Sequence, residues 1–304
     1  YKRQQKKEAD NIARKGEDTM RNTSTDLRRQ TMYSVFVRNH TEEGTFAALD
    51  KDLDRIRALG TDVIWLMPIH PIGQKERKGD LGSPYAIADY RKINPEFGTM
   101  EDFDRLLEEM HRRDIKLVMD LVVNHTSDQH RWFQEGTSGQ NPAYRDYYIW
   151  ETEKPNRWGS WFGGSAWEYN TQVGAHYLHI FAKKQPDLNW QNPALRDEIY
   201  RMMSWWLNKG IDGFRMDVIS LISKPDPIPR DTGSDLSPYC INGPQVHTYL
   251  KEMRQKVLAK YDIMTVGECP GITVQEAQKY AGTDSGELNM AVSYTHLTLP
   301  TNRE

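Results

Sequence analysis

From Met32 onward, short runs that are apolar on nearly every residue alternate with amphipathic helical patterns. The runs are Tyr33-Ser34-Val35-Phe36-Val37, Val63-Ile64-Trp65-Leu66-Met67, and Ile115 to Val123, the last broken only by Asp120. A strand apolar on both faces must be covered on both, and a parallel sheet flanked by helices does that. The intervening helices carry their own start and stop signals. One runs from about Phe46 to Leu59 and stops at Gly60; another opens at Thr99 with Asp102 three residues on and puts Phe103, Leu106, Leu107 and Met110 on one face. A third begins with Asn192 as N-cap and Pro193 in its first turn and ends at Gly210. A fourth strand over Ile211 to Val218, a fifth over Ile263 to Gly267, a helix of about 245 to 260 between them, and the start of a sixth strand at Leu288 complete the pattern.

Between His125 and Ile211 lie 85 residues, far more than a strand-helix-strand crossover needs. A folded insertion is therefore predicted over about 126 to 190. Six of the nine tryptophans fall between Trp132 and Trp190, and a small inserted unit needs such side chains for its core. His176, His179 and Cys269 are read as structural.

Charge and cysteine content exclude several classes. The 40 basic and 43 acidic residues leave a net charge of -3, which is no field for nucleic-acid binding. No stretch reaches the roughly 18 to 20 apolar residues of a membrane span. Two cysteines, Cys240 and Cys269, make neither a disulfide framework nor a metal knuckle, so the reducing cytoplasm is the expected compartment. Residues 1–31 carry nine Lys or Arg against five Asp or Glu, and are expected to be a disordered extension rather than a nucleic-acid arm.

Acidic residues stand at three strand ends, the rim where a barrel of strands and helices builds its active site. The segments are Asp120-Leu121-Val122-Val123-Asn124-His125, Gly213-Phe214-Arg215-Met216-Asp217 and Thr265-Val266-Gly267-Glu268. Arg215 and Asp217, two apart on a strand, share a face, and the cation is expected to keep Asp217 ionised and low in pKa, as a carboxylate nucleophile requires. Glu268 closes an apolar strand, where desolvation suits a general acid. Two carboxylates with divided roles are what glycoside hydrolysis needs, and a separation of about 5 to 5.5 Å would mean retention through a covalent intermediate.

Together these segments resemble the ordered sequence regions of glycoside hydrolase family 13, the α-amylase family, over about residues 32 to 292. The resemblance implies an α/β fold: a partial TIM (β/α)8 barrel of about strands one to five plus the start of six, with a domain B inserted after strand three. It implies Asp217 as nucleophile, Glu268 as acid/base, Arg215 orienting the nucleophile, and His125 donating to the sugar in the subsite that is cleaved. Asp120 joins them on the substrate side. Tyr85, within Ser83-Pro84-Tyr85-Ala86, matches the family's stacking tyrosine, while Ala86 stands where most of the subfamily has an aspartate that binds the terminal sugar. Gln185-Pro186-Asp187-Leu188-Asn189 resembles the domain B signature of the oligo-1,6-glucosidase group. Val218, after the nucleophile, resembles the α-1,6-acting members.

The resemblance thus implies a retaining α-glucosidase acting on isomalto-oligosaccharides or related short α-glucans, without cofactor, nucleic-acid or membrane partner, and monomeric when complete. The alternatives are a transglucosidase or sucrose isomerase of the same family, and a non-catalytic amylase-like module, against which Asp217, Arg215 and Glu268 argue. The family's Asp-rich metal loop is replaced over Pro71 to Leu81 by a run with Lys75, Arg77 and Lys78, so no metal is expected there. The expected organisation is a charged extension over 1–31, the first part of the barrel over 32–125, the insertion over 126–190, the second part over 191–292, and a foreign-looking tail over 293–304. An incomplete barrel without its third catalytic carboxylate is the expectation, and with it an inactive 304-residue chain.

Overall fold

In a computed structural model, residues 27–74, 82–282 and 284–293 are described. The basic head before Leu27, the segment with Lys75, Arg77 and Lys78, and the tail after Ser293 lie outside them. In chain order the strands are β1 (Met32–Val35), β2 (Val63–Leu66), β3 (Lys116–Leu121), β4 (Trp150–Glu151), β5 (Trp167–Asn170), β6 (Ala175–Leu178), β7 (Gly213–Met216), β8 (Met264–Glu268) and β9 (Met290–Val292). The helices of eight residues or more are α1 (Phe46–Ala58), α2 (Met100–His111), α3 (Arg131–Ser138), α4 (Pro193–Lys209), α5 (Val246–Lys256) and α6 (Val274–Ala281).

One sheet runs β1-β2-β3-β7-β8-β9 with every pair parallel, and it curls into a half-barrel, the partial TIM barrel expected from the alternating runs. Its strands are apolar on both faces because each face enters a different core. Ile64, Leu66, Leu117, Met119 and Leu121 point outward and join the helix residues Phe46, Leu49, Leu53, Phe103, Leu106 and Met110. Val63, Val118 and Met264 point inward and form a smaller cluster with Met32, Val266 and Met290. The period of two in a strand sorts the residues.

The helix signals act as the residues suggest. Thr99 and Asp102 form a reciprocal capping box at α2, and the Asn192 side chain accepts from the Ala194 amide at α4. Gly210 closes α4 in the left-handed region at φ 106°. Gly213 opens β7 at φ 151°, and a Cβ there would stand 1.8 Å from the Met264 carbonyl oxygen, so the β7–β8 approach admits only glycine. Strand ends fall short of the apolar runs: β3 stops at Leu121, and Val122 and Val123 stay buried beyond it, with the Trp190 indole donating to the Val123 carbonyl at 2.8 Å.

Between β3 and β7 the chain forms α3 and a three-stranded antiparallel sheet in the order β4-β6-β5. Trp158 and Trp167 fill its core with Leu178 and Ile180, and so do Ile228, Leu236 and Cys240 from the segment after β7. Trp132 and Trp190 are buried as well, so four of the six tryptophans between 132 and 190 are core, while Trp161 is exposed. His176 lies in β6 and His179 just past its end.

Candidate active site

Strand register assembles the site at the carboxyl ends of β3, β7 and β8. Arg215 of β7 is the Cα partner of Asp120 on β3 and of Val266 on β8. Asp217 lies two residues beyond Arg215 and Glu268 two beyond Val266, so both carboxylates stand at one level on adjacent strands, facing the barrel interior.

All three carboxylates converge on one guanidinium. Arg215 Nη1 donates to Asp217 Oδ1 at 2.7 Å and to Asp120 Oδ1 at 3.0 Å, and Nη2 lies 2.7 Å from Glu268 Oε2. Arg215, Asp120 and Asp217 are all buried. Among the described residues, Oδ2 of Asp217 and Oε1 of Glu268 accept no hydrogen bond.

The expectation of a low Asp217 pKa is corrected here. Burial and the neighbouring Asp120 charge raise Asp217 well above the usual carboxylate range, with Glu268 adding to them, against the pull of Arg215. Burial likewise pushes Asp120 up to about 7, although Arg215 draws it down. One cation beside the Asp217 carboxylate was visible in the sequence, whereas two further carboxylates competing for that cation were not. Burial works against the Arg215 charge too, but Asp120, Asp217 and Glu268 more than offset it. Asp120 and Asp217 titrate as interacting acids rather than independently.

Val218, a β-branched residue, sits in the left-handed region at φ 37°, ψ 43°, a conformation that costs on the order of 1–3 kcal/mol. That turn aims its amide at Glu268 Oε2, 3.0 Å away. The Tyr85 hydroxyl donates to Asp120 Oδ2 at 3.4 Å, and Ala86 beside it is buried.

The His125 ring makes no hydrogen bond to the three carboxylates. Its Nε2 pairs with Gln185 Nε2 at 3.0 Å, its Nδ1 lies 3.3 Å from Asn124 Nδ2, and Phe181 packs on it at 5.1 Å between centroids. Burial lowers its pKa to about 4, so the ring is neutral near pH 7, with one nitrogen as donor and the other as acceptor.

Trp65, Phe181 and Lys224 near the site were not singled out from the sequence, and Gln185 was read only as part of the domain B signature. Trp65 covers Arg215, its ring centroid 4.9 Å from the guanidinium carbon. Gln185 and Phe181 flank His125. Lys224 is fully buried after β7, its ammonium 2.8 Å from Asp187 Oδ2 and 2.6 Å from Asn124 Oδ1, which ties the insertion to the barrel. A lone Lys224 after Ile219-Ser220-Leu221-Ile222-Ser223 is itself a signal, because a lysine is rarely buried without a partner. Among the described residues, no group of three or more His, Cys, Asp or Glu side chains is arranged to hold a metal ion, and no helix is long and apolar enough to cross a membrane.

Comparison with known proteins bears on this arrangement. The family profile for the α-amylase catalytic domain matches residues 9–304, wider than the span marked by the motifs. An oligo-1,6-glucosidase of Halalkalibacterium halodurans is 50% identical over 266 residues, covering 84% of this chain and 46% of that protein. One of Parageobacillus thermoglucosidasius is 50% identical over 283 residues, covering 88% and 49%. Among solved structures, a trehalose-6-phosphate hydrolase of Bacillus licheniformis superposes with a TM-score of 0.82 at 44% identity, covering 88% of this chain and 49% of that one. An isomaltulose synthase of Erwinia rhapontici superposes with a TM-score of 0.80 at 41% identity, covering 87% and 48%. The chain thus spans about half the length of the curated relatives it matches. Half-barrel, strand-end carboxylates and family match agree: the chain belongs to the α-amylase family, glycoside hydrolase family 13.

Proposed function

We propose that this chain carries the nucleophile and the acid/base of a retaining α-glucosidase of the oligo-1,6-glucosidase type. A free Asp217 oxygen attacks the anomeric carbon while Glu268 gives its proton to the departing glycosidic oxygen. Water then breaks the glucosyl–Asp217 ester as Glu268 takes the proton back. Such a mechanism needs one carboxyl protonated and another ionised. Fully ionised, three carboxylates around one guanidinium would exceed their cation by two charges, so the cluster retains a proton, and Asp217 is proposed to attack in the form in which that proton lies on a neighbouring carboxyl. The observation that carries the reading is that a single Arg215 holds Asp217 and Glu268 side by side at 2.7 Å each. Asp120, Tyr85 and His125 are assigned to the sugar, Arg215 to orienting Asp217, and Val218 to linkage preference.

The 304 residues alone, whose outer strands β1 and β9 each pair on one side only among the described residues, are proposed to be inactive. The proposed domain division is the one drawn from the sequence. At the relatives' full length the protein is proposed to be a monomer acting on oligosaccharides in the cytoplasm, where two free buried cysteines are at home.

The test compares hydrolysis of isomaltose and maltose by the protein extended to the relatives' length. Isomaltose is expected to be cleaved faster, and a strong preference for maltose contradicts the assignment of Val218. A second reading, transglucosylation or sucrose isomerisation, draws support from the isomaltulose synthase likeness. Product analysis on sucrose separates the two.

A further inference from the structure

We propose that Trp65 is a positioning residue of the acidic cluster: its indole face fixes the Arg215 guanidinium and its ring N–H fixes Asp120. Trp65 lies two residues after Val63 on β2, so it shares the interior face with the residues that line the half-barrel. β2 pairs with β3 and not with β7, yet the indole reaches past β3 to Arg215, with 4.9 Å between the guanidinium carbon and the ring centroid. That is within cation–π range. The same ring donates from Nε1 to Asp120 Oδ2 at 3.3 Å. One side chain therefore touches both members of the Asp120–Arg215 pair.

Two observations separate this role from simple core filling. Trp65 belongs to none of the three apolar clusters, although Val63, Ile64 and Leu66 around it all do. It is also only partly buried, so its indole faces the cluster rather than a sealed core. Nη1 and Nη2 of the guanidinium are committed to three carboxylates while its buried Nε has no hydrogen-bond partner among the described residues, so the Trp65 face is a further surface by which its tilt is set. An aromatic face suits that task because it attracts the cation without competing for its N–H groups. On Asp120, Oδ2 receives Trp65, Tyr85 and Arg215 together, which holds that carboxylate to one side and leaves Asp217 its free oxygen. A hydrogen bond to the ionised carboxylate favours that form.

Two substitutions in the 304-residue chain test this without turnover. Trp65→Phe keeps the aromatic face and most of the volume but removes the N–H. Trp65→Leu removes both. Carboxyl carbon NMR is expected to show the Asp120 titration, which lies at about 7, moving up by roughly half a pH unit in both variants. Exchange of the Arg215 side-chain N–H protons should quicken several-fold in Trp65→Leu and stay close to the parent in Trp65→Phe. Unchanged titration and exchange in both variants overturn the proposal. If Trp65→Leu does not fold, the titration of Trp65→Phe decides. The kinetic arm alone rests on the glucosidase reading: at the relatives' full length, Trp65→Phe is expected to lower kcat severalfold with KM within about twofold of the parent, and a rise in KM alone contradicts the role. Should the parent show no glucosidase turnover, that reading falls while the titration still decides for or against Trp65.

Discussion

At the residue scale, Arg215 is shared among Asp120, Asp217 and Glu268, and the buried carboxylates around it couple stability to pH. Asp120 titrates at about 7 in the folded chain against an ordinary value of 3.8, so between those pH values the folded state binds more protons than the unfolded one. Its contribution is fully present at low pH and is lost as pH rises from about 4 through 7. Asp120→Asn removes one of the three competing charges while keeping an oxygen for Arg215 and Trp65. The variant is expected to be more stable than the parent at pH 8, by about 1–3 kcal/mol, and close to it at pH 4.5, as read by urea unfolding at the two pH values. A variant less stable than the parent at pH 8 contradicts the account. The site was partly legible: two-residue spacing put Arg215 and Asp217 on one face, and the strand ends marked Asp120 and Glu268. Register was not legible, and register is what brings Asp120 level with Arg215, overturns the low pKa expected for Asp217, and lets Trp65 reach across a strand.

At the scale of elements, the sequence signals held where they were local. Asn192, Pro193 and Gly210 frame α4, and Thr99 with Asp102 opens α2, because caps and stops depend on a few neighbouring residues. The apolar runs located the barrel strands but overran their ends, since a residue such as Val123 is buried by tertiary packing after the ladder has finished. The link from the insertion back to the barrel was invisible, because Lys224 and Asp187 are distant in sequence and meet only in the fold. Lys224 and Asp187 are both fully buried, and Asp187 also accepts from the Ile180 amide at 3.0 Å. Lys224→Met keeps much of the volume and strands the carboxylate, which is expected to cost about 3–5 kcal/mol. Hydrogen exchange should rise in β4, β5 and β6 and stay unchanged in β1 and β2. Adding Asp187→Leu should recover most of the loss, and a single variant costing under about 1 kcal/mol would show that the pair holds nothing together.

At the scale of the whole molecule, six parallel strands make a half-barrel whose inner face carries the acidic cluster at its carboxyl end, while the relatives are about twice as long as this chain. The small inner cluster of Val63, Val118 and Met264 is modest beside the outer core, so helices rather than the barrel lumen hold the sheet. The proposed chemistry places its covalent step on Asp217, whose Oδ2, like Oε1 of Glu268, accepts no hydrogen bond among the described residues. The most direct measurement is mechanism-based labelling of the protein extended to the relatives' full length, using a fluorinated α-glucosyl fluoride followed by peptide mass spectrometry. A single glucosyl adduct on the peptide carrying Asp217, absent in Asp217→Asn, is the predicted result; hydrolysis of isomaltose with the adduct on another residue, or with none formed, would contradict it.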